Sequence, residues 1–252
     1  MRARQPAFTR SSVALAAAAL VGTLASTPAS AAVCTWNAAN GNWDALANWL
    51  NCVAGNGNPG GVPGGADTAV IGGAGVVTVN TSQAVNTLNN AGQINIDAFL
   101  LTLGAGGTTN TGVINVGGAS TAALQVFGNV NNAGGVINVG NGSVINQFGT
   151  SFTGGTINTS GTGKVAVQGF SGGNLLNGVT LAGNMDMAGA GQVSQRVTGG
   201  LALGGTVSVG SGSYLNFQGT QTLSGTGSIV FADNNGNNRL NVDGAGSVLT
   251  IG

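Results

Sequence analysis

The sequence predicts an all-β chain, a right-handed parallel β-helix of about eight to nine coils with a disulfide-closed N-terminal cap. Three observations lead there. A glycine followed by an apolar–polar–apolar triplet recurs as Gly92-Gln93-Ile94-Asn95-Ile96, Gly112-Val113-Ile114-Asn115-Val116, Gly135-Val136-Ile137-Asn138-Val139 and Gly155-Thr156-Ile157-Asn158-Thr159. Weaker copies follow at Val179-Thr180-Leu181, Val207-Ser208-Val209, Ile229-Val230-Phe231 and Leu249-Thr250-Ile251, so lead residues recur every 20 to 28 positions. Finally, glycine supplies 48 of 252 residues without a Gly-X-Y period, and only 5% of residues are charged, which excludes collagen and argues against ordinary disorder.

Alternation with period two separates the two sides of each strand. It places Ile94, Ile114, Ile137 and Ile157 inside, and Asn95, Asn115, Asn138 and Asn158 on an outer ladder whose amides can bond from coil to coil. A second strand is readable about ten residues from each triplet, as at Leu101-Thr102-Leu103, Leu124-Gln125-Val126-Phe127 and Val165-Ala166-Val167. Asn90-Ala91-Gly92, Asn110-Thr111-Gly112 and Asn132-Ala133-Gly134 read as turns between them. Glycine belongs at the corners, where the chain needs positive φ or close backbone approach. An antiparallel sandwich or barrel is the rival, since hairpin spacing is present too.

From the N-terminus, residues 1–31 read as an export signal. Arg2, Arg4 and Arg10 precede an apolar run from Val13 to Ala25, and Ala29-Ser30-Ala31 offers a small–x–small cleavage site. The run is too short to span a bilayer as a helix, and Val33 before Cys34 does not suit a lipoprotein. Without this segment three cations remain, Lys164, Arg196 and Arg239, against six aspartates, a net −3. That surface has no footprint for nucleic acid or anionic membrane.

Residues 32–66 form a Trp-rich cap holding Trp36, Trp43 and Trp49. Cys34 and Cys52 are the only cysteines, and export makes a disulfide their expected state. Without histidine they cannot complete a zinc shell. The tryptophans have two readings: an exposed sugar-stacking surface, or a plug folded over the first coil. Residues 67–252 show no break in composition and form the repeats. The chain stops within a repeat copy, at Val248-Leu249-Thr250-Ile251-Gly252, so a longer parent protein or a truncated frame is expected.

The head, Cys34-Thr35-Trp36, Gly41-Asn42-Trp43, Ala47-Asn48-Trp49 and then Val62-Pro63-Gly64-Gly65-Ala66-Asp67-Thr68-Ala69-Val70-Ile71, resembles the N-terminal part of bacterial autotransporter-type adhesin passengers. In that group such a head leads into Gly/Asn/Thr-rich β-helix repeats. The resemblance implies a cell-surface rod, normally followed by a translocator barrel or another anchor that nothing here resembles.

Chemistry is sparse. The absence of histidine excludes Ser-His-Asp and Cys-His arrangements, and with no glutamate the scattered aspartates leave little for paired-carboxylate hydrolysis. Asp186 and Arg196 are placed to approach across a turn as a surface ion pair. Asp233-Asn234-Asn235-Gly236-Asn237-Asn238 is the nearest approach to an oxygen-rich calcium loop but is short of carboxylates. Gly104-Ala105-Gly106-Gly107 lacks the Lys-Ser/Thr of a phosphate loop. No catalytic residue, cofactor or metal is expected.

The expected function is therefore an exported, non-catalytic, adhesin-like rod at the outer surface. Its expected partners are a host or bacterial surface glycan or protein, with self-association through open coil ends. The alternative is a carbohydrate-binding or polysaccharide-degrading β-helix. An ice or mineral binder is a third reading, weakened by the irregular spacing. Specificity is expected in the Trp/Cys head, in a 28-residue coil between Val179 and Val207, and in the Asp233–Asn238 loop.

Overall fold

The computed structural model describes residues 31–52, 61–118, 120–169, 172–189, 191–234 and 236–252. The export signal expected at 1–31 falls, but for Ala31, outside the described residues, as does Asn235 of the Asp233–Asn238 loop. Strands account for nearly all regular structure, and the one described helix is a 3-10 turn at Leu46–Asn48. The strands wind into about eight turns of a parallel β-solenoid. At ~4.8 Å per coil this makes a rod of about 40 Å. Every described strand pairing is parallel except one, Thr35–Trp36 against Trp49–Leu50. The antiparallel sandwich is thereby excluded.

Each coil has three sides. The first sheet holds the Ile–Asn phrases: Val76–Val79, Gln93–Ile96, Val113–Val116, Val136–Val139 and Thr156–Thr159 lie in register, with Ile94, Ile114, Ile137 and Ile157 in one buried column. The second holds Ala123–Val126, Val144–Phe148, Lys164–Gln168, Met185–Met187 and Thr206–Val209, stacking Leu124, Ile145, Val165, Met185 and Val207. The third begins at Val33–Trp36 and Thr68–Ile71 and continues through Val130–Asn131, Ser151–Thr153 and Tyr214–Gln218. Four longer strands, among them Gln83–Asn90 and Leu100–Asn110, bend through a corner and serve two sheets. The three inner faces meet in one core, where each buried aliphatic side chain contributes about 1.5–3 kcal/mol.

The assignment of the later triplets changes with this geometry. Val207 and Ile229 belong to the second sheet, where Met185 aligns with Val207 and Val207 with Ile229. Val179 instead aligns with Leu201, so no 28-residue coil separates Val179 from Val207. The same apolar–polar–apolar alternation serves all three sheets, and a triplet alone does not say to which it belongs. Variation in spacing falls in the corners, and the strand columns run on without interruption.

Glycine marks the entry to the first sheet for a steric reason. A Cβ on Gly112 would overlap the Gly92 carbonyl, and one on Gly135 would overlap the Asn110 carbonyl. Neither has positive φ, so the coil above, not local conformation, demands glycine there.

The head is continuous with the rod. Cys34 aligns with Ala69 and Gly41 with Val77, so residues 33–42 already form rungs. Trp49–Leu50 folds back to pair with the outer edge of the first strand, blunting an edge open to further pairing. The Cys34–Cys52 disulfide fastens it, with Cα atoms 4.7 Å apart. Asp67 ties the segment from Gly61 to the rod, accepting from the Ala32 and Gly64 amides at 2.8 and 2.9 Å. At the other end the last coil leaves Phe231, Leu240, Val242 and Ile251 exposed.

Candidate functional site

The outer face of the first sheet carries the Asn ladder. Asn115 Nδ2 donates to Asn95 Oδ1, Asn138 to Asn115 and Asn158 to Asn138, each at 2.8 Å. The register places these residues side by side on successive strands, one Asn per coil. Gln93 Nε2 also donates to Asn95 Oδ1, at 2.9 Å. A carboxamide has two N–H donors and two acceptor sites, and each inner rung spends one of each on the ladder. What remains is a half-buried row of donors and acceptors whose rotamers are already set.

A shallow groove of about 570 Å³ follows the ladder, bounded by Asn141, Ser160 and Asp97. Asp97 is its only charged lining residue. Val113 and Val136 form the neighbouring outward column, so an amide row runs beside an apolar one. Such a surface presents mainly neutral hydrogen-bonding groups.

The tryptophans lie inside. Trp36, Trp43 and Trp49 are 7%, 0% and 5% exposed, which overturns the sugar-stacking reading of the head. Trp49 packs against both others with ring centroids 5.0 Å apart, and its Nε1 donates to the Trp43 carbonyl at 2.7 Å. The head is a plug because indole burial is its largest gain.

Asp186 pairs with Lys164 at 2.6 Å and not with Arg196, because the second sheet sets Ala166 beside Asp186 whereas Arg196 stands on the third. It is the only ion pair among the described residues. Partial burial pushes the Asp186 carboxyl up, but the Lys164 ammonium and the Ala188 and Gly189 amides outweigh this and hold it below the ordinary carboxylate value. Shallow grooves of about 510 and 530 Å³ adjoin the pair. In the Asp233–Asn238 loop, Asp233 accepts from the Ser211 amide and from Asn238 Nδ2, both at 2.6 Å, and Asn238 Oδ1 accepts from Gly212 at 2.8 Å. Its carboxylate is spent on pinning the loop to the coil before. No group of three or more metal-ligating side chains occurs among the described residues.

A second ladder, absent from the sequence-based expectations, lies inside the rod. Asn90 Nδ2 donates to Asn110 Oδ1 and Asn110 Nδ2 to Asn132 Oδ1, each at 2.7 Å, with all three residues 2% exposed or less. Asn132 Nδ2 ends the chain of bonds on the Gly135 and Thr156 carbonyls, at 3.2 and 3.3 Å. The residues sit at the corner from the third sheet to the first and were read as turn formers. The available signal was the recurrence of Asn-x-Gly at 20 and 22 residues.

No family model, curated protein or solved structure matches the chain.

Proposed function

We propose that the chain is an exported, non-catalytic rod of adhesin type, the N-terminal part of an autotransporter-like passenger, acting at the outer cell surface through its side faces. The observation that carries this reading is the Asn95–Asn158 ladder, an ordered, uncharged hydrogen-bonding row along an open face. The disulfide supports export, since such bonds persist in oxidising compartments. Among the described residues no helix is long and apolar enough to cross a membrane. The partners in this reading are surface glycans or proteins, with no nucleic acid and no cofactor.

The test has two parts. The full chain, expressed in a bacterium with its first 31 residues, should appear outside the cytoplasm as a mature form beginning near Ala32. Beads coated with residues 32–252 should then adhere to bacterial or epithelial cells. Retention in the cytoplasm, or beads that adhere no better than albumin-coated ones, would overturn the reading. Release of reducing ends from a polysaccharide would replace it with the degrading β-helix.

A further inference from the structure

Phe127 and Phe148 occupy consecutive rungs where the second sheet turns towards the third. Their rings stack at 4.7 Å between centroids and 9° between planes. Phe127 is 47% exposed, in a chain that buries all three of its tryptophans. On its other side the adjacent rung is Gly104: Val126 aligns with Leu103, and the Phe127 amide donates to the Leu103 carbonyl. One side of the ring therefore rests on Phe148, and the other faces a rung with no side chain.

The corner beyond is kept low by glycine. A Cβ on Gly128 would stand 2.8 Å from Gly107 N and 3.0 Å from its Cα, so the two backbones lie against each other. Asn129 then enters a trough of about 440 Å³ on the outer face of the third sheet, with Thr87, Asn89, Thr109, Asn131 and Thr153. No charged side chain lines it. Asn129 Oδ1 accepts from the Ser151 amide at 3.1 Å and Asn131 Oδ1 from the Ala133 amide at 3.2 Å. These bonds orient both carboxamides and leave their N–H donors without a protein acceptor. The outward column alternates Asn89, Thr109, Asn131 and Thr153 over four coils, about 15 Å of rod.

We propose that the exposed Phe127 ring and this trough form a binding site for a neutral, extended oligosaccharide. The C–H face of a sugar ring fits an exposed aromatic face. Its hydroxyls fit fixed amide donors and threonines, and the absence of charge selects against acidic polymers. The trough is longer than one sugar, so the ligand is a polymer segment. The proposal rests on the surface-binding reading and gives it a ligand class.

Affinity electrophoresis of residues 32–252 through gels containing laminarin, arabinoxylan, galactomannan or polygalacturonate tests it. At least one neutral polymer should retard the chain. Phe127→Ala and the trough variant Thr109→Lys should each weaken that retardation at least tenfold, with the β-sheet circular dichroism unchanged, while Phe127→Tyr should keep it. Retardation by none of the neutral polymers, by polygalacturonate alone, or equally in wild type and both weakening variants would overturn the site. If Phe127→Ala fails to fold, Thr109→Lys decides by the same criterion. Cell adhesion that persists in a chain binding no neutral polymer would remove the saccharide site and leave the surface-binding function standing. Loss of both in the wild type would remove the two together.

Discussion

The wholly buried side chain of Asn110 donates to that of Asn132 one coil further along, at 2.7 Å, while on the outer face Asn115 donates back to Asn95 at 2.8 Å. The two ladders run in opposite senses along the same coils. The buried one begins at Asn90, whose Oδ1 has no protein donor because the rung before it is Ile71. Identical chemistry is thus held in two environments, and the difference decides what each contributes.

Asn110→Ala should cost far more than Asn115→Ala. The first leaves the Asn90 donor and the Asn132 acceptor unpaired in the core, about 1–3 kcal/mol each. The second opens a gap that water can fill, at about 0.5–1 kcal/mol. Urea midpoints of the two variants measure the contrast, and equal losses would mean that the inner ladder is hydrated.

Trp43→Ala should destabilise by about 3–5 kcal/mol, since the ring is fully buried. Breaking the disulfide with Cys52→Ala should cost about 3 kcal/mol. Neither should change ligand binding under conditions where the variant remains folded, as judged by near-ultraviolet circular dichroism. A binding loss in folded Trp43→Ala would return the head to the ligand site.

Gly112→Ala should fail to fold or lose more than about 2 kcal/mol, because its methyl meets the Gly92 carbonyl. Gly72→Ala, with nothing within 4 Å of the added carbon, should stay within about 0.5 kcal/mol of wild type. Thermal midpoints of the pair separate steric demand from mere composition.

Asp186 gives the stability a small acid dependence. Its folded value lies below the ordinary one of about 3.9, so the unfolded chain takes up the proton first as pH falls. The contribution is present at neutral pH and is lost as pH drops through the folded value. Asp186→Asn should therefore lower the urea midpoint at pH 7 and match wild type at about pH 2. With Lys164 at 43% side-chain exposure the difference should be modest and shrink in high salt.

Much of the rod was legible along the chain, and its failures have a common cause. Ile94, Ile114, Ile137 and Ile157 were placed inside by alternation, and their columns are buried. Val207 and Ile229 count along the chain as copies of the Ile–Asn phrase, yet they stand on the second sheet, because three sheets share one pattern. Asn90, Asn110 and Asn132 were read as turn residues because local propensity describes a corner but not whether a side chain there points inward. The Phe127–Phe148 stack was invisible because it joins residues 21 apart through strand register.

Sequence alone determined that strands alternate, that they recur often enough to stack, that the only two cysteines lie 18 residues apart in the head, and that charge is scarce. These follow from local geometry and composition. Tertiary structure alone decided that each coil has three sides, which amides are buried and which exposed, that the tryptophans plug the first coil, and that Lys164 is the partner of Asp186. Those depend on how each coil closes before the next strand pairs. Coil closure sets the register, and the register chooses every neighbour.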